Sequence, residues 1–198
     1  MLLHEKLKDR RLILASNSPR RRQLLADAGV PFEVADKYPC EESYPADMPA
    51  EEVAGHIAAL KSRAYPKPLD DNEILVTADT VVIVGDEVLG KPADRDDAIS
   101  MLRKLSGQTH KVVTGVMFRT PSESKSFSVT TAVTFSALSD EELVYYVDTF
   151  RPFDKAGAYG IQEWIGYAAV ERIEGSFYNV MGLPVQRLYI ELDAFLTR

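Results

Sequence analysis

The chain has one cysteine, Cys40, so neither an intrachain disulfide nor a cysteine-built metal cluster can form, and the thiol reads as an inert side chain. Histidine is scarce too, and of His4, His56 and His110 the first two fall in no pattern with a partner. Positive charge is in deficit: 23 Lys and Arg stand against 30 Asp and Glu, for a net charge of −7. That balance opposes binding along DNA or RNA, where clustered cations must neutralise many phosphates. A small anionic ligand needs only a local positive pocket and stays open. No apolar run approaches the ~18 residues of a membrane span. The opening MLLHEKLKDRR has no long apolar core behind its basic residues, so neither a signal peptide nor a membrane span is expected, and a cytoplasmic protein follows. No internal repeat, low-complexity segment or flexible linker interrupts the chain.

What is present suits an ordinary globular domain: 198 residues, 45% hydrophobic and 27% charged. A single domain over 1–198 is expected. The first periodic signal, Leu12 to Ala15, is a short apolar run that predicts a buried strand. Ser16-Asn17-Ser18-Pro19 follows, with Ser18 suited to cap a helix and Pro19 to occupy its first position, where a missing N–H costs nothing. Arg20 and Arg21 then fall in the first helical turn. Positive side chains there oppose the helix dipole, which makes better sense if an anion occupies the same place.

Phe32 to Ala35 reads as a second strand and leads to the acidic loop Cys40 to Ser43. Pro49 to Tyr65 reads as a helix with Val53, Ile57 and Leu60 on one face and Lys61 near its end. Glu73 to Val84 is the most apolar segment, expected as a central strand or strand pair. Asp94 can cap a helix running through Ala98, Met101, Leu102 and Leu105 to Gly107. His110 to Thr120 and Ser126 to Leu138 are β-rich, with a polar turn between them, and are expected to be antiparallel neighbours. Ser139 to Glu142 forms a capping box for a helix with Leu143, Val147 and Phe150. Lys155 to Gly160 predicts a tight loop, Gly166 to Ile173 a strand, and Pro184 the start of a last helix burying Val185, Leu188, Tyr189 and Leu192. Helices and strands mix without strict alternation, which favours an α/β or α+β domain with a mixed sheet.

Asp79 interrupts an apolar run, and a carboxylate among Val, Ile and Ala needs a partner, a metal or a raised pKa. Either catalysis or a strand-end pairing with a local donor accounts for it. Lys61 and Lys91 are uninformative alone, since most lysines are solvated. The glycines between Lys155 and Gln162 fit close backbone approach to a ligand and fit an ordinary turn equally.

Together these pieces resemble one family, the Maf proteins, nucleoside triphosphate pyrophosphatases first associated with septum formation. The resemblance is carried by LASNSPRR at 14 to 21, Glu42, Lys61, ADT at 78 to 80, GKP at 90 to 92, LSGQTHKVVTGV at 105 to 116, DKAGAYGIQ at 154 to 162 and EGSFYNVMGLP at 174 to 184. It implies a Maf/ITPase-like fold, with a twisted mixed sheet flanked by helices and two lobes about a central cleft. It also implies hydrolysis of a nucleoside triphosphate between the α and β phosphates. By the same resemblance Asp79 is the general base, Glu42 and Asp79 lie near a divalent cation, Mg²⁺ or Mn²⁺, and Ser16, Arg20, Arg21, Lys61 and Lys91 bind phosphate. Glu41 is the alternative to Glu42. The branch acting on dTTP and UTP resembles this chain in having Arg20, Thr80 and Gln162 at three specificity positions. A Gln amide suits a pyrimidine, since it can donate to a carbonyl and accept from N3–H together.

The chain departs from the family pattern after Gln162, where Glu163-Trp164 replaces the usual glycine. Trp164 reads as packing, with stacking on a base as the alternative, and His110 as structural support for the glycine turn before it. Arg22, outside the motif, reads as an ordinary surface residue. A homodimer is compatible with the resemblance. Two other functions compete: a division regulator that acts through a protein partner and uses the nucleotide site for sensing, and a nucleic-acid-binding module, which the acidic balance disfavours.

Overall fold

The computed structural model describes residues 2–197. In chain order its elements are α1 (Leu3–Lys6), β1 (Arg11–Leu14), α2 (Pro19–Asp27), β2 (Glu33–Val34), α3 (Ala50–Ala64), β3 (Glu73–Val84), β4 (Glu87–Leu89), α4 (Arg95–Leu105), β5 (Thr109–Arg119), β6 (Ser124–Phe135), α5 (Asp140–Phe150), a 3-10 turn (Ala156–Ala158), α6 (Trp164–Ala168), β7 (Val170–Glu174), α7 (Phe177–Met181) and α8 (Val185–Leu196). The strands pair in the order β2-β1-β3-β5-β6-β7, with β4 on β3. β1 is parallel to β2 and β3, whereas β4 and β7 pair antiparallel with β3 and β6, so the sheet is mixed as expected.

The described residues fall into two compact units. The first comprises the chain up to Asp79, Thr114–Val129 and the chain from Gly182 onward. Here β1 and β3 run in register from Arg11↔Glu73 to Leu14↔Val76, and Leu12, Leu14, Ile74 and Val76 are all buried. Each such Leu or Ile contributes about 1.5–3 kcal/mol on leaving water. α3 docks close to β5 because Gly115 has no side chain: a Cβ there would lie 2.4 Å from the Gly55 nitrogen and 2.5 Å from the Ala54 carbonyl.

The second unit comprises Thr80–Val113 and Thr130–Met181. Its core gathers Val82 and Leu89, Leu102 and Leu105 of α4, Leu143, Tyr146 and Val147 of α5, and Ile161 and Ile165. The caps read from sequence are in place. Asp94 accepts from Asp97 N–H, and Ser139 with Glu142 forms a reciprocal capping box.

Glu73 to Val84 is one continuous strand, the first of the two forms expected of it. Two boundaries differ from expectation. The second strand shrinks to Glu33–Val34. The strand expected from Gly166 to Ile173 divides into α6 and then β7. The apolar and aromatic residues there suggested β structure, but Gly166 N–H donates to Glu163 O and Ala169 N–H to Ile165 O, closing helical turns instead. Only glycine fits at 166, since a Cβ would stand 1.7 Å from Ile161 O. The short helices α1 and α7 had no periodic signal.

Candidate active site

β1 ends at Leu14 beside Val76 of the parallel strand β3, and the chain then turns through Ser16 to Ser18 into α2. Carboxyl ends of parallel strands, followed by a helix start, are where α/β sheets receive ligands. Ser18 caps α2 by accepting from Arg21 N–H at 3.5 Å, Pro19 opens the helix, and its first turn contains no acidic residue.

The three arginines of that turn part company. Arg21 is buried and points inward: Nε donates to Gly182 O at 2.7 Å, and Nη1 to Ala78 O at 2.9 Å and Ser16 Oγ at 3.3 Å. Burial lowers its pKa and the neighbouring Arg20 adds to that, while the charges of Asp79 and Glu42 oppose it. A guanidinium keeps its charge throughout. Arg20 is half-buried in the same turn. Arg22 corrects the surface reading, because it folds back, donates from Nη2 to Ser16 O at 3.3 Å, and has a buried Nε with no partner among the described residues.

Helix and strand periodicity together bring Lys61 to Asp79. Thr77 Oγ1 donates to Ala58 O at 2.7 Å, fixing α3 against β3. Asp79 lies two residues beyond Thr77, on the same strand face, and Lys61 lies three beyond Ala58, on the same helix face. Their side chains accordingly meet, Lys61 Nζ to Asp79 Oδ1 at 2.7 Å, and the same ammonium reaches Glu42 Oε1 at 3.0 Å. Glu42, rather than Glu41, is thus the acidic-loop residue paired with Lys61. Tyr38 Oη donates to Lys61 O at 2.9 Å, and Arg119 donates to the Ser62 carbonyl and hydroxyl near the helix end. No sequence signal marked Tyr38 or Arg119. Cys40 lies close by, and burial together with the Glu42 and Asp79 charges pushes its thiol up, which suits an inert thiol rather than a nucleophile.

Ser16, Arg20, Arg21, Glu42, Lys61 and Asp79 therefore share the first unit. Thr80, Lys91 and Gln162 belong to the second. Thr80 follows Asp79 on β3 and is half-buried, Lys91 is exposed between β4 and α4, and Gln162 is half-buried with an Oε1 that has no partner among the described residues. His110 is buried, shares a 2.7 Å hydrogen bond between Nε2 and Tyr159 Oη, and meets Phe135 and Tyr159 edge-on. Burial pushes its imidazole down to about 4, so it stays neutral and structural. Trp164 packs on Tyr145 and Tyr146, as its packing reading requires.

Among the described residues no three His, Cys, Asp or Glu side chains gather as a metal cage. Two carboxylates converging on one ammonium still fit a hard cation such as Mg²⁺, which retains waters and takes phosphate oxygens alongside one or two carboxylates.

The mixed sheet, with Arg20 and Arg21 at the start of α2 and the Lys61, Asp79 and Glu42 cluster in the same unit, defines an α/β protein whose first unit gathers its charged groups at one place. The chain belongs to the Maf family: the profile of the Maf-like proteins matches residues 11–195. A dTTP/UTP pyrophosphatase of Parabacteroides distasonis is 52% identical to it, over 96% of this chain and 99% of that protein. One from Phocaeicola vulgatus is also 52% identical, over 95% and 97% respectively. One from Flavobacterium johnsoniae is 47% identical, over 95% and 96%. A solved HAM1 protein from Coxiella burnetii has the same fold at 12% identity, with a TM-score of 0.50 covering 93% of this chain and 99% of that one. No helix among the described residues is long and apolar enough to cross a membrane.

Proposed function

We propose that residues 1–198 act as one catalytic domain, a cytoplasmic pyrophosphatase that hydrolyses dTTP and UTP to the nucleoside monophosphate and pyrophosphate. The observation that carries this reading is the Asp79 carboxylate held 2.7 Å from Lys61 in the unit that also holds the Ser16–Arg22 anion loop. The relatives named dTTP/UTP pyrophosphatase, near 50% identity over almost their whole length, support the substrate class.

Asp79 takes a proton from water whose oxygen bonds to the α-phosphorus. The bond from that phosphorus to the α–β bridging oxygen breaks, and its electron pair leaves with pyrophosphate. Ser16, Arg20, Arg21, Lys61 and Lys91 bind and orient the phosphates, and preorganised cations of this kind stabilise the charge developing on the leaving group. Glu42 and Asp79 would hold a divalent cation, Mg²⁺ or Mn²⁺, which when bound neutralises phosphate charge. Thr80 and Gln162 belong to recognition of the nucleoside, the Gln162 amide serving the base.

A panel of canonical and modified nucleoside triphosphates, assayed for pyrophosphate release with Mg²⁺ or Mn²⁺, tests the proposal. Turnover should favour dTTP and UTP. Absence of turnover on every triphosphate would end the enzyme reading, and tight dTTP binding without turnover would instead favour a nucleotide sensor.

A further inference from the structure

Gln162 sits third in the turn Gly160-Ile161-Gln162-Glu163, which Glu163 N–H closes by donating to Gly160 O at 2.9 Å. One atom from a different element ties both ends of that turn. Tyr146 Oη, fully buried on α5, accepts from Gly160 N–H at 2.9 Å and donates to Glu163 Oε2. Burial first, and then the bond to Glu163, hold this phenol far above its ordinary range, so it keeps its proton and remains the donor. The other Glu163 oxygen, Oε1, meets Lys155 Nζ at 3.1 Å, and that buried lysine also reaches Asp154 Oδ1 at 2.8 Å.

Both Glu163 oxygens are therefore engaged, and the backbone has closed around them. A Cβ at Gly160 would stand 2.9 Å from Glu163 Cδ and 3.0 Å from Lys155 Cε. On the other side of the turn, Gly166 lies against Ile161 O, where no Cβ fits. The turn is thus held at Gly160, Ile161 and Glu163. The residue between them, Gln162, has a buried amide oxygen with no partner among the described residues. A buried acceptor left open beside paired neighbours is completed from outside the protein, by a ligand or by an ordered water.

We propose that Tyr146, Glu163 and Lys155 are positioning residues that fix the turn carrying Gln162, place its amide for a ring N–H donor, and so set the preference for thymine and uracil over cytosine. The inference rests on the reading of Gln162 as the base contact. Thymine and uracil carry a hydrogen on N3, whereas cytosine presents a bare N3 acceptor, which an amide oxygen repels. The preference then depends on where that one amide is held, and the turn sets the backbone position from which the Gln162 side chain extends.

The test compares kcat and KM on UTP and CTP for Gln162→Ala, Tyr146→Phe, Glu163→Ala and Glu163→Gln. Gln162→Ala should lower the UTP-to-CTP ratio of kcat/KM roughly tenfold or more. Tyr146→Phe and Glu163→Ala should lower it comparably, through KM for UTP, with kcat within about threefold of the parent. Glu163→Gln keeps an acceptor for Tyr146 but turns an NH₂ toward Lys155 Nζ, so it should recover part of the ratio, more than Glu163→Ala retains. Because Tyr146 is fully buried, the Glu163 variants carry the test if Tyr146→Phe does not fold. If Gln162→Ala loses the preference and the Tyr146 and Glu163 variants keep it, the positioning role is wrong and the base contact stands. If Gln162→Ala keeps the preference, the base contact itself is wrong and the inference falls with it. An equal fall in kcat on both substrates would reduce Tyr146 and Glu163 to scaffolding and also overturn the inference.

Discussion

Lys61 Nζ stands 2.7 Å from Asp79 Oδ1 and 3.0 Å from Glu42 Oε1, so one ammonium serves two carboxylates, one on β3 and one on the acidic loop. A partly buried charge pair is a poor source of stability, because desolvation offsets the attraction. Its placement beside the Ser16–Arg22 loop is better explained by chemistry. Asp79→Asn keeps the shape and removes the base, so kcat should fall by roughly 10²–10⁴-fold. Pyrophosphate release checks the fall, and a thermal scan checks that the variant folds. Near-parent kcat in Asp79→Asn would remove Asp79 from the base role.

Arg21 joins Ser16, Ala78 and Gly182 through its guanidinium, and Ala78 immediately precedes Asp79. Arg21→Ala should therefore cost both activity and about 2–4 kcal/mol of stability, since buried carbonyls lose their donors. Arg21→Lys should not restore either, because an ammonium cannot match the planar fork. Urea midpoints at unchanged slope, set beside kcat/KM, separate the two losses.

Gly115→Ala tests the seating of α3. The new Cβ would meet backbone atoms of Ala54 and Gly55 at about 2.5 Å, and backbone cannot yield as a side-chain tip can. Overpacking of this kind costs ~1–3 kcal/mol. The displaced helix carries Lys61, so activity should also fall at temperatures where the variant remains folded. A stable variant with full activity would show that α3 can shift without disturbing the site.

His110 makes stability depend on pH. Its folded pKa of about 4 lies below the ordinary 6.5, so between those values the unfolded chain binds more protons. The His110 contribution is complete above pH 6.5 and is lost as pH falls from there towards 4. From pH 7 to pH 5 the loss should be about 2 kcal/mol. His110→Gln should flatten that part of the urea-stability profile, and equal slopes for parent and variant would contradict it.

Chelation separates catalysis from folding. With no cage of three protein donors among the described residues, EDTA should abolish pyrophosphate release while leaving the thermal unfolding midpoint in place. Restored activity on adding Mg²⁺ or Mn²⁺ completes the test. A midpoint that falls with EDTA would reveal a structural metal instead.

Much of the fold was legible because its signals are local. Ser18-Pro19, Asp94 and the Ser139–Glu142 box each satisfy backbone groups within four residues, so their helix starts fall where the sequence puts them. The apolar run of β3 and the periodic face of α8 needed only the geometry of strand and helix. Gly166 failed for the opposite reason. Its constraint is Ile161 O pressed against its Cα, a contact that alternation of apolar residues does not encode.

The sequence by itself determined that cations gather at the start of α2, that Asp79 interrupts an apolar strand, and that the chain is a mixed α/β protein of the Maf family. Hydrophobic period, capping chemistry and ordered motifs are all written along the chain. Only the tertiary structure decided that Arg21 turns inward to two carbonyls, that Arg22 folds back onto Ser16, that Glu42 rather than Glu41 meets Lys61, and that Tyr146 braces the turn bearing Gln162. Lys61 and Asp79 are 18 residues apart and Arg21 and Gly182 are 161 apart. Pairings at such separations depend on which faces of which elements are buried together, and packing selects them after local preferences have shaped the elements.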